Sequence, residues 1–73
     1  MQYMNEEDTR RLKSYIVAAG YNITSLAKRI NMGRECLSSR INGKIDFGRS
    51  EMMEIATVLG ESPEKIFFGS EVA

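Results

Sequence analysis

Four polar side chains follow a helical spacing that puts them on one side of a helix, with hydrogen-bonding groups of the kind that read DNA bases. The apolar i, i+4 pair Leu37 and Ile41 predicts that the opposite side of that helix is buried. Short or forked polar groups can reach base edges in a major groove about 12 Å wide, whereas a protein-binding helix more often carries an aromatic or leucine anchor. The predicted base-facing residues are Arg34, Glu35, Ser38 and Ser39. The alternatives are a solvated helix-start charge for Glu35 and plain surface positions for the serines.

Basic residues are concentrated in the middle of the chain, although its 73 residues carry no net charge. Residues 24–49 hold six basic and two acidic side chains, for a net charge of +4. Residues 50–73 hold one basic and five acidic side chains, for a net charge of −4. A localised basic surface attracts a phosphate backbone even when the whole molecule is neutral. The alternative is a solvated surface of mixed charge.

Residues suited to catalysis or metal binding are scarce. One cysteine and no histidine argue against a disulfide framework, a zinc site or a Cys/His nucleophile, so we expect no enzyme activity, no metal and no cofactor. No apolar run approaches the roughly 18 residues that cross a bilayer, and the first residues lack the order of a signal peptide. A cytoplasmic location with no membrane partner is therefore expected. Cys36 is predicted to fill a gap between helices.

The elements that must position the polar side chains are predicted to be helices. Apolar residues at i, i+3, i+4 and i+7 recur along the chain, and no stretch alternates as a strand would. Because 73 residues can bury one small core, we expect a single all-α, five-helix domain spanning residues 1–73. The predicted helices are 6–19, 23–30, 34–41, 49–59 and a last short helix that begins at Ser62-Pro63.

The breaks between these helices are short. Gly20 and Asn42-Gly43 suit the ends of helices, and Asn31 is the non-glycine residue that best tolerates the positive φ of such an end. The tight turn at 31–33 predicts that the second helix supports the third, which then projects from the body. Residues predicted to cap a helix or to point inward at these breaks are Asn22, Met32, Gly33 and Phe47.

The segment LAKRINMGRECLSSRINGK, residues 26–44, and the later EIATVLGESPEKIFF, residues 54–68, carry a family resemblance. They resemble the helix-turn-helix of the Cro/C1-type, lambda-repressor-like phage regulators. The resemblance covers about residues 9–68 and includes Leu26-Ala27, Met32, Leu37 and Asn42-Gly43-Lys44. The chain departs from the family pattern at Ile23, often glutamine, at Asn31, often glycine, and at Gly33, often serine.

The resemblance implies a compact fold with a helix-turn-helix at about residues 22–42 and a recognition helix at about 34–41. It implies a sequence-specific transcriptional regulator of the phage or prophage Cro or repressor type. Because one small domain has a limited contact area, we expect it to bind a palindromic operator in double-stranded DNA as a homodimer. The base-contacting positions it implies are again Arg34, Glu35, Ser38 and Ser39, with Arg34 on guanine O6 and N7. The phosphate-contacting positions are Thr24, Lys28, Arg40, Asn42, Lys44 and Arg49.

Self-association and a second function also follow from the sequence. Met53 and Val58 are expected to fall outside the core side of their helix, and with Phe67 or Phe68 they could form a self-association patch. The same fold could instead serve as an anti-repressor, a protein-binding modulator that docks on a partner repressor through the acidic C-terminal third. Zero net charge, Ile23 and Gly33 favour that alternative.

Overall fold

The computed structural model describes residues 3–68, and within this part the chain forms five helices and no β-sheet. The all-α architecture predicted from the sequence is therefore confirmed for these residues. The last element is a short π-helical turn. The helices are α1 at Glu6–Ala18, α2 at Ile23–Arg29, α3 at Arg34–Ile41, α4 at Arg49–Leu59 and α5 at Glu64–Phe68.

The predicted helix bounds agree closely with the observed ones. Helices α3 and α4 begin and end at the predicted residues. Helices α1 and α2 each end one residue earlier than expected, because Ala19 and Ile30 are C-cap residues with ψ near 0° and 10°. A C-cap lies half inside its helix, which accounts for the difference of one residue.

Side-chain oxygens accept hydrogen bonds from backbone amides at the amino ends of the first two helices. Asn22 caps α2 as predicted, and its Oδ1 accepts a hydrogen bond from the Ser25 amide at 2.8 Å. The Ser25 hydroxyl accepts in turn from the Asn22 amide at 2.9 Å, which completes a capping box. Asn5 caps α1 through the Asp8 amide, an N-cap that the sequence reasoning did not identify. Gly33 occupies the N-cap position of α3 and supplies no side-chain hydrogen bond.

Helices α1 to α4 all end in the same arrangement of two backbone hydrogen bonds, known as a Schellman motif. At the end of α2, the Met32 amide donates to the Ala27 carbonyl and the Asn31 amide to the Lys28 carbonyl. This arrangement needs one residue in the left-handed region, and Asn31 supplies it with φ of 60°. The predicted role of Asn31 is therefore confirmed. Gly20, Gly43 and Gly60 have the same role at the other three ends.

A single hydrophobic core joins the helices. Phe47 is fully buried, in agreement with its predicted inward orientation, and contacts Phe67 edge to face, with ring centroids 5.2 Å apart. Met4, from the segment before α1, is also buried. Met32 packs against the core from its edge, in agreement with its predicted inward orientation. The fully buried large residues are Leu12, Leu26, Leu37, Ile41, Phe47, Ile55, Ile66 and Phe67.

The length and the polarity of the helices bear on whether any of them could cross a membrane. Over residues 3–68, none combines the length and the apolar character that a bilayer crossing requires.

Candidate nucleic-acid interface

The rotation of α3 about its axis is fixed by two buried side chains. Leu37 and Ile41 are both fully buried against the core. Their burial leaves Arg34 and Glu35 exposed at the first turn of the helix. The outward side of α3 therefore has the composition expected from the sequence, with hydrogen-bonding groups and no large apolar side chain.

The two serines of this surface are less accessible than the first turn. Ser38 and Ser39 are half-buried. The Ser38 hydroxyl accepts a hydrogen bond from the Asn42 side-chain amide at 3.3 Å. Because a hydroxyl has two acceptor positions and one donor, Ser38 keeps its own hydrogen available. Asn42 is exposed and is the C-cap of α3.

Arg34 contacts the helix that precedes it. Its Nε atom donates a hydrogen bond to the Thr24 hydroxyl oxygen at 3.0 Å, and the pair is exposed to solvent. This contact links the first turn of α2 to the first turn of α3, ten residues apart in the chain. Residues predicted to serve different roles, base contact for Arg34 and phosphate contact for Thr24, are thus direct neighbours.

Three cations of the predicted phosphate set are exposed to solvent. They lie on different elements: Lys28 in the last turn of α2, Lys44 after α3, and Arg49 at the start of α4. Within residues 3–68 the ion pairs join Asp8 to Arg11 and Glu61 to Lys65. Those pairs leave the exposed cations between residues 24 and 49 outside any ion pair of the described part.

Arg40 differs from the other cations. It is half-buried, and its guanidinium donates a hydrogen bond to the Asp46 carbonyl oxygen at 2.7 Å. Its Nε atom is buried without a hydrogen-bond partner in the described part of the chain. The pKa of Arg40 lies above its ordinary value, chiefly through its interaction with the Cys36 side chain and to a smaller degree with the carboxylates of Glu51 and Asp46, while burial works against the rise. Arg40 therefore stays charged and ties α3 to the following loop.

The N-terminal segment packs against the turn that precedes Lys44. Gly43 has φ of +82°, and a Cβ atom there would collide with the backbone carbonyl oxygen of Met4. The Lys44 amide donates to the Ser39 carbonyl at 2.9 Å. These contacts fix the backbone at Lys44 while its side chain stays exposed.

Thr24, a predicted phosphate contact, lies at the amino end of α2, where the first backbone amides have no partner inside the helix. The capping box already uses the amides of Asn22 and Ser25. Thr24, which lies between them, is exposed. A phosphate at this end of α2 would therefore have to contact the Thr24 hydroxyl and the backbone amides of Ile23 and Thr24, which the capping box does not use.

Cys36 and the acidic residues are the remaining candidates for metal binding or thiol chemistry. Cys36 is half-buried and free, in a position beside Arg40. Among residues 3–68, no cluster of three or more histidine, cysteine, aspartate or glutamate side chains could hold a metal ion.

The expected self-association patch is only partly present. Met53 is 52% exposed, as expected, whereas Val58 is half-buried and packs against the core. Together with Ile30 they line an open groove that Arg29 and Arg49 border. The expectation that Phe67 belongs to this surface is wrong, because Phe67 is fully buried against Phe47. The side chain of Phe68 lies outside the described part of the chain.

Neither the models of known protein families nor the curated proteins contain a match to this chain. The resemblance to the Cro/C1-type regulators therefore stays a prediction from the sequence.

Proposed function

We propose that the protein is a sequence-specific DNA-binding transcriptional regulator of the phage or prophage Cro or repressor type. In this proposal α2 and α3 form a helix-turn-helix, and α3 enters the major groove. The observation that carries the proposal is the exposed first turn of α3, which bears Arg34 and Glu35 while Leu37 and Ile41 are fully buried behind it.

Base recognition is assigned to the outward side of α3. The Arg34 guanidinium is suited to a guanine, where O6 and N7 accept two parallel hydrogen bonds. Glu35 accepts from a cytosine amino group, or it repels phosphate when the register is wrong. Ser38 and Ser39 contribute weaker discrimination, because a hydroxyl can either donate or accept.

Positioning on the duplex is assigned mainly to Lys28, Lys44 and Arg49. All three are exposed, and none belongs to an ion pair of residues 3–68. A phosphate backbone can therefore approach them without displacing an existing carboxylate partner. Thr24 and Asn42 can add neutral hydrogen bonds at the two ends of the helix pair. Arg40 contributes positive charge to the surface while its guanidinium holds the Asp46 carbonyl.

The regulator is proposed to act as a homodimer on a palindromic operator. One small recognition helix contacts few base pairs, and two copies related by twofold symmetry double the contact and raise affinity. The groove beside Met53 is the surface we assign to self-association, because its exposed apolar centre is bordered by charges of both signs, Arg29 and Glu54. Occupancy of the operator then regulates transcription without catalysis.

The salt dependence of binding to random duplex DNA tests this proposal. If one protomer neutralises three phosphates through Lys28, Lys44 and Arg49, the affinity should fall roughly 40-fold between about 50 and 200 mM salt. Lys44→Ala should reduce the slope of log K against log salt by about one. Affinity that is undetectable at low salt, or that does not change with salt, would contradict DNA binding.

A second candidate is the anti-repressor, a protein that docks on a partner repressor. It is favoured by the exposed apolar side chain of Met53 on α4, the helix that carries the acidic residues Glu51 and Glu54. In that case the protein alone would not bind DNA. Adding it to a DNA-bound repressor would instead release the repressor, and Met53→Lys would abolish the release.

A further inference from the structure

The hydrogen bond between Arg34 and Thr24 determines which donors of the guanidinium remain for a ligand. An arginine has five N–H donors in one plane. Because Nε donates to the Thr24 hydroxyl, the remaining donors are the four on the two terminal nitrogens. At the end of the guanidinium, one N–H bond from each terminal nitrogen forms a parallel pair, the geometry that matches O6 and N7 of a guanine.

Thr24 itself occupies a fixed position. It lies in the first turn of α2, between the two residues of the capping box formed by Asn22 and Ser25. As a β-branched residue, threonine has few χ1 rotamers in a helix. Its hydroxyl therefore has few available positions, whereas the Arg34 side chain would otherwise sample many rotamers in solvent.

The contribution of this contact to folding stability is small. The hydrogen bond is exposed to solvent, and water competes for both partners, so the fold does not depend on it. A contact with little value for stability can still matter for binding, because it reduces the conformational freedom that Arg34 loses when it engages a base.

We infer that Thr24 is a positioning residue for base recognition, which holds the Arg34 guanidinium with its two terminal nitrogens directed at one guanine of the binding site. This inference rests on the proposed DNA-binding function and adds to it. Thr24 keeps its own hydroxyl hydrogen, so it can donate to a phosphate while it accepts from Arg34. The role in positioning Arg34 is separate from that phosphate contact and can be measured separately.

The test compares Thr24→Val with Thr24→Ser. Valine keeps the shape and the β-branch but lacks the hydroxyl, whereas serine keeps the hydroxyl. Dissociation constants are measured for three duplexes. The first contains the site that the wild-type protein prefers, the second has the G·C pair assigned to Arg34 replaced by an A·T pair, and the third has a random sequence. A lost phosphate contact weakens binding to all three equally and cancels in the ratio of the first two.

The ratio of the two site affinities should fall about 2- to 12-fold in Thr24→Val, the range expected when one long side chain must be ordered on binding. It should be unchanged in Thr24→Ser. In an Arg34→Ala background, Thr24→Val should have no further effect on the ratio. In the free protein, exchange of the Arg34 Nε proton with water, followed by NMR, should be slower in the wild type and in Thr24→Ser than in Thr24→Val.

Each other outcome overturns the inference. A wild-type protein that discriminates between the two sites, with an unchanged ratio in Thr24→Val, shows that Thr24 does not position Arg34 and leaves the proposed function intact. A wild-type protein that binds none of the three duplexes overturns the proposed function, and the inference with it. Loss of the folded state in Thr24→Val, seen by circular dichroism, would assign Thr24 to stability instead.

Discussion

The Thr9 hydroxyl donates a hydrogen bond to the Ile41 carbonyl oxygen at 2.6 Å, which joins α1 to the last residue of α3. The two residues are 32 positions apart in the chain, and the bond is partly buried. It fixes the carboxyl end of α3 to α1. The predicted base contacts Arg34 and Glu35 lie at the other end of α3.

Removing that hydroxyl should destabilise the fold. Thr9→Val leaves the Ile41 carbonyl without its partner and should cost about 1 kcal/mol, which lowers Tm by about 4 to 8 °C in a domain of this size. Thermal unfolding followed by circular dichroism measures the shift. Thr57→Val is the matched control, because the Thr57 hydroxyl donates only to the Met53 carbonyl, through an exposed hydrogen bond within its own helix. Equal effects of the two substitutions would contradict the role of Thr9.

The N-cap of α3 offers a stabilising substitution. Gly33 has φ of −65° and open space around the position of a Cβ atom, so a side chain fits without strain. Gly33→Ser should raise the free energy of unfolding by about 0.3 to 1 kcal/mol, since serine caps the helix and restricts the unfolded chain. Gly33→Ala restricts the unfolded chain in the same way but adds no capping hydroxyl, so it should stabilise less than Gly33→Ser. Urea unfolding gives both free energies of unfolding, and a gain in the alanine variant as large as that in the serine variant would refute the capping argument.

The turn after α3 depends on glycine more strongly than the turn after α1. Gly20 and Gly43 both have positive φ, but only Gly43 lies against backbone atoms of Met4. Gly20→Ala should therefore cost about 1 to 2 kcal/mol from backbone strain alone. Gly43→Ala should cost at least about 1 kcal/mol more, because Met4 must move. If chemical denaturation gives equal losses, the N-terminal segment is not packed on this turn in solution.

Arg40 and Lys44 should separate folding from DNA binding. Arg40→Ala removes the partly buried hydrogen bond to the Asp46 carbonyl and should cost about 1 to 2 kcal/mol of stability. Lys44 is exposed, so Lys44→Ala should leave Tm within about 2 °C. The same variant should weaken binding to every DNA sequence alike. Thermal unfolding and fluorescence anisotropy on random duplexes are the two measurements. A stability loss in Lys44→Ala as large as that in Arg40→Ala would contradict this division.

The helices could be predicted from the sequence because their signals are local. Apolar periodicity predicts the sides of α3 and α4 that face the core, and Asn22, Asn31 and Gly20 mark the ends of helices within a few residues of each boundary. Capping and left-handed residues act on the next turn of the chain, so the sequence alone contains what is needed.

Contacts between distant segments could not be predicted in the same way. Nothing in the sequence near Met4 indicates that it packs under Gly43, and nothing near Arg40 indicates that its guanidinium reaches the Asp46 carbonyl. Phe67 illustrates a second limit. In the run Ile66-Phe67-Phe68 adjacent positions are apolar, so periodicity cannot tell which side chain enters the core. In the structure Ile66 and Phe67 are fully buried.

The candidate surface was predictable in composition but not in its internal contacts. The exposure of Arg34 and Glu35 follows from the buried pair Leu37 and Ile41. The link from Arg34 to Thr24 does not follow, because it depends on how α2 and α3 are oriented relative to each other. That orientation is set by packing across the turn, which pattern reasoning does not resolve.

Selection of bound duplexes from a random pool tests the central claim most directly, with wild-type protein and Arg34→Ala compared in parallel. We expect the wild type to enrich a palindromic site with one guanine in each half-site that Arg34→Ala no longer prefers, a loss of roughly 1 to 3 kcal/mol of discrimination at that position. Enrichment of no sequence by folded wild-type protein, or the same preferred site in both proteins, would contradict the claim that the first turn of α3 reads DNA bases.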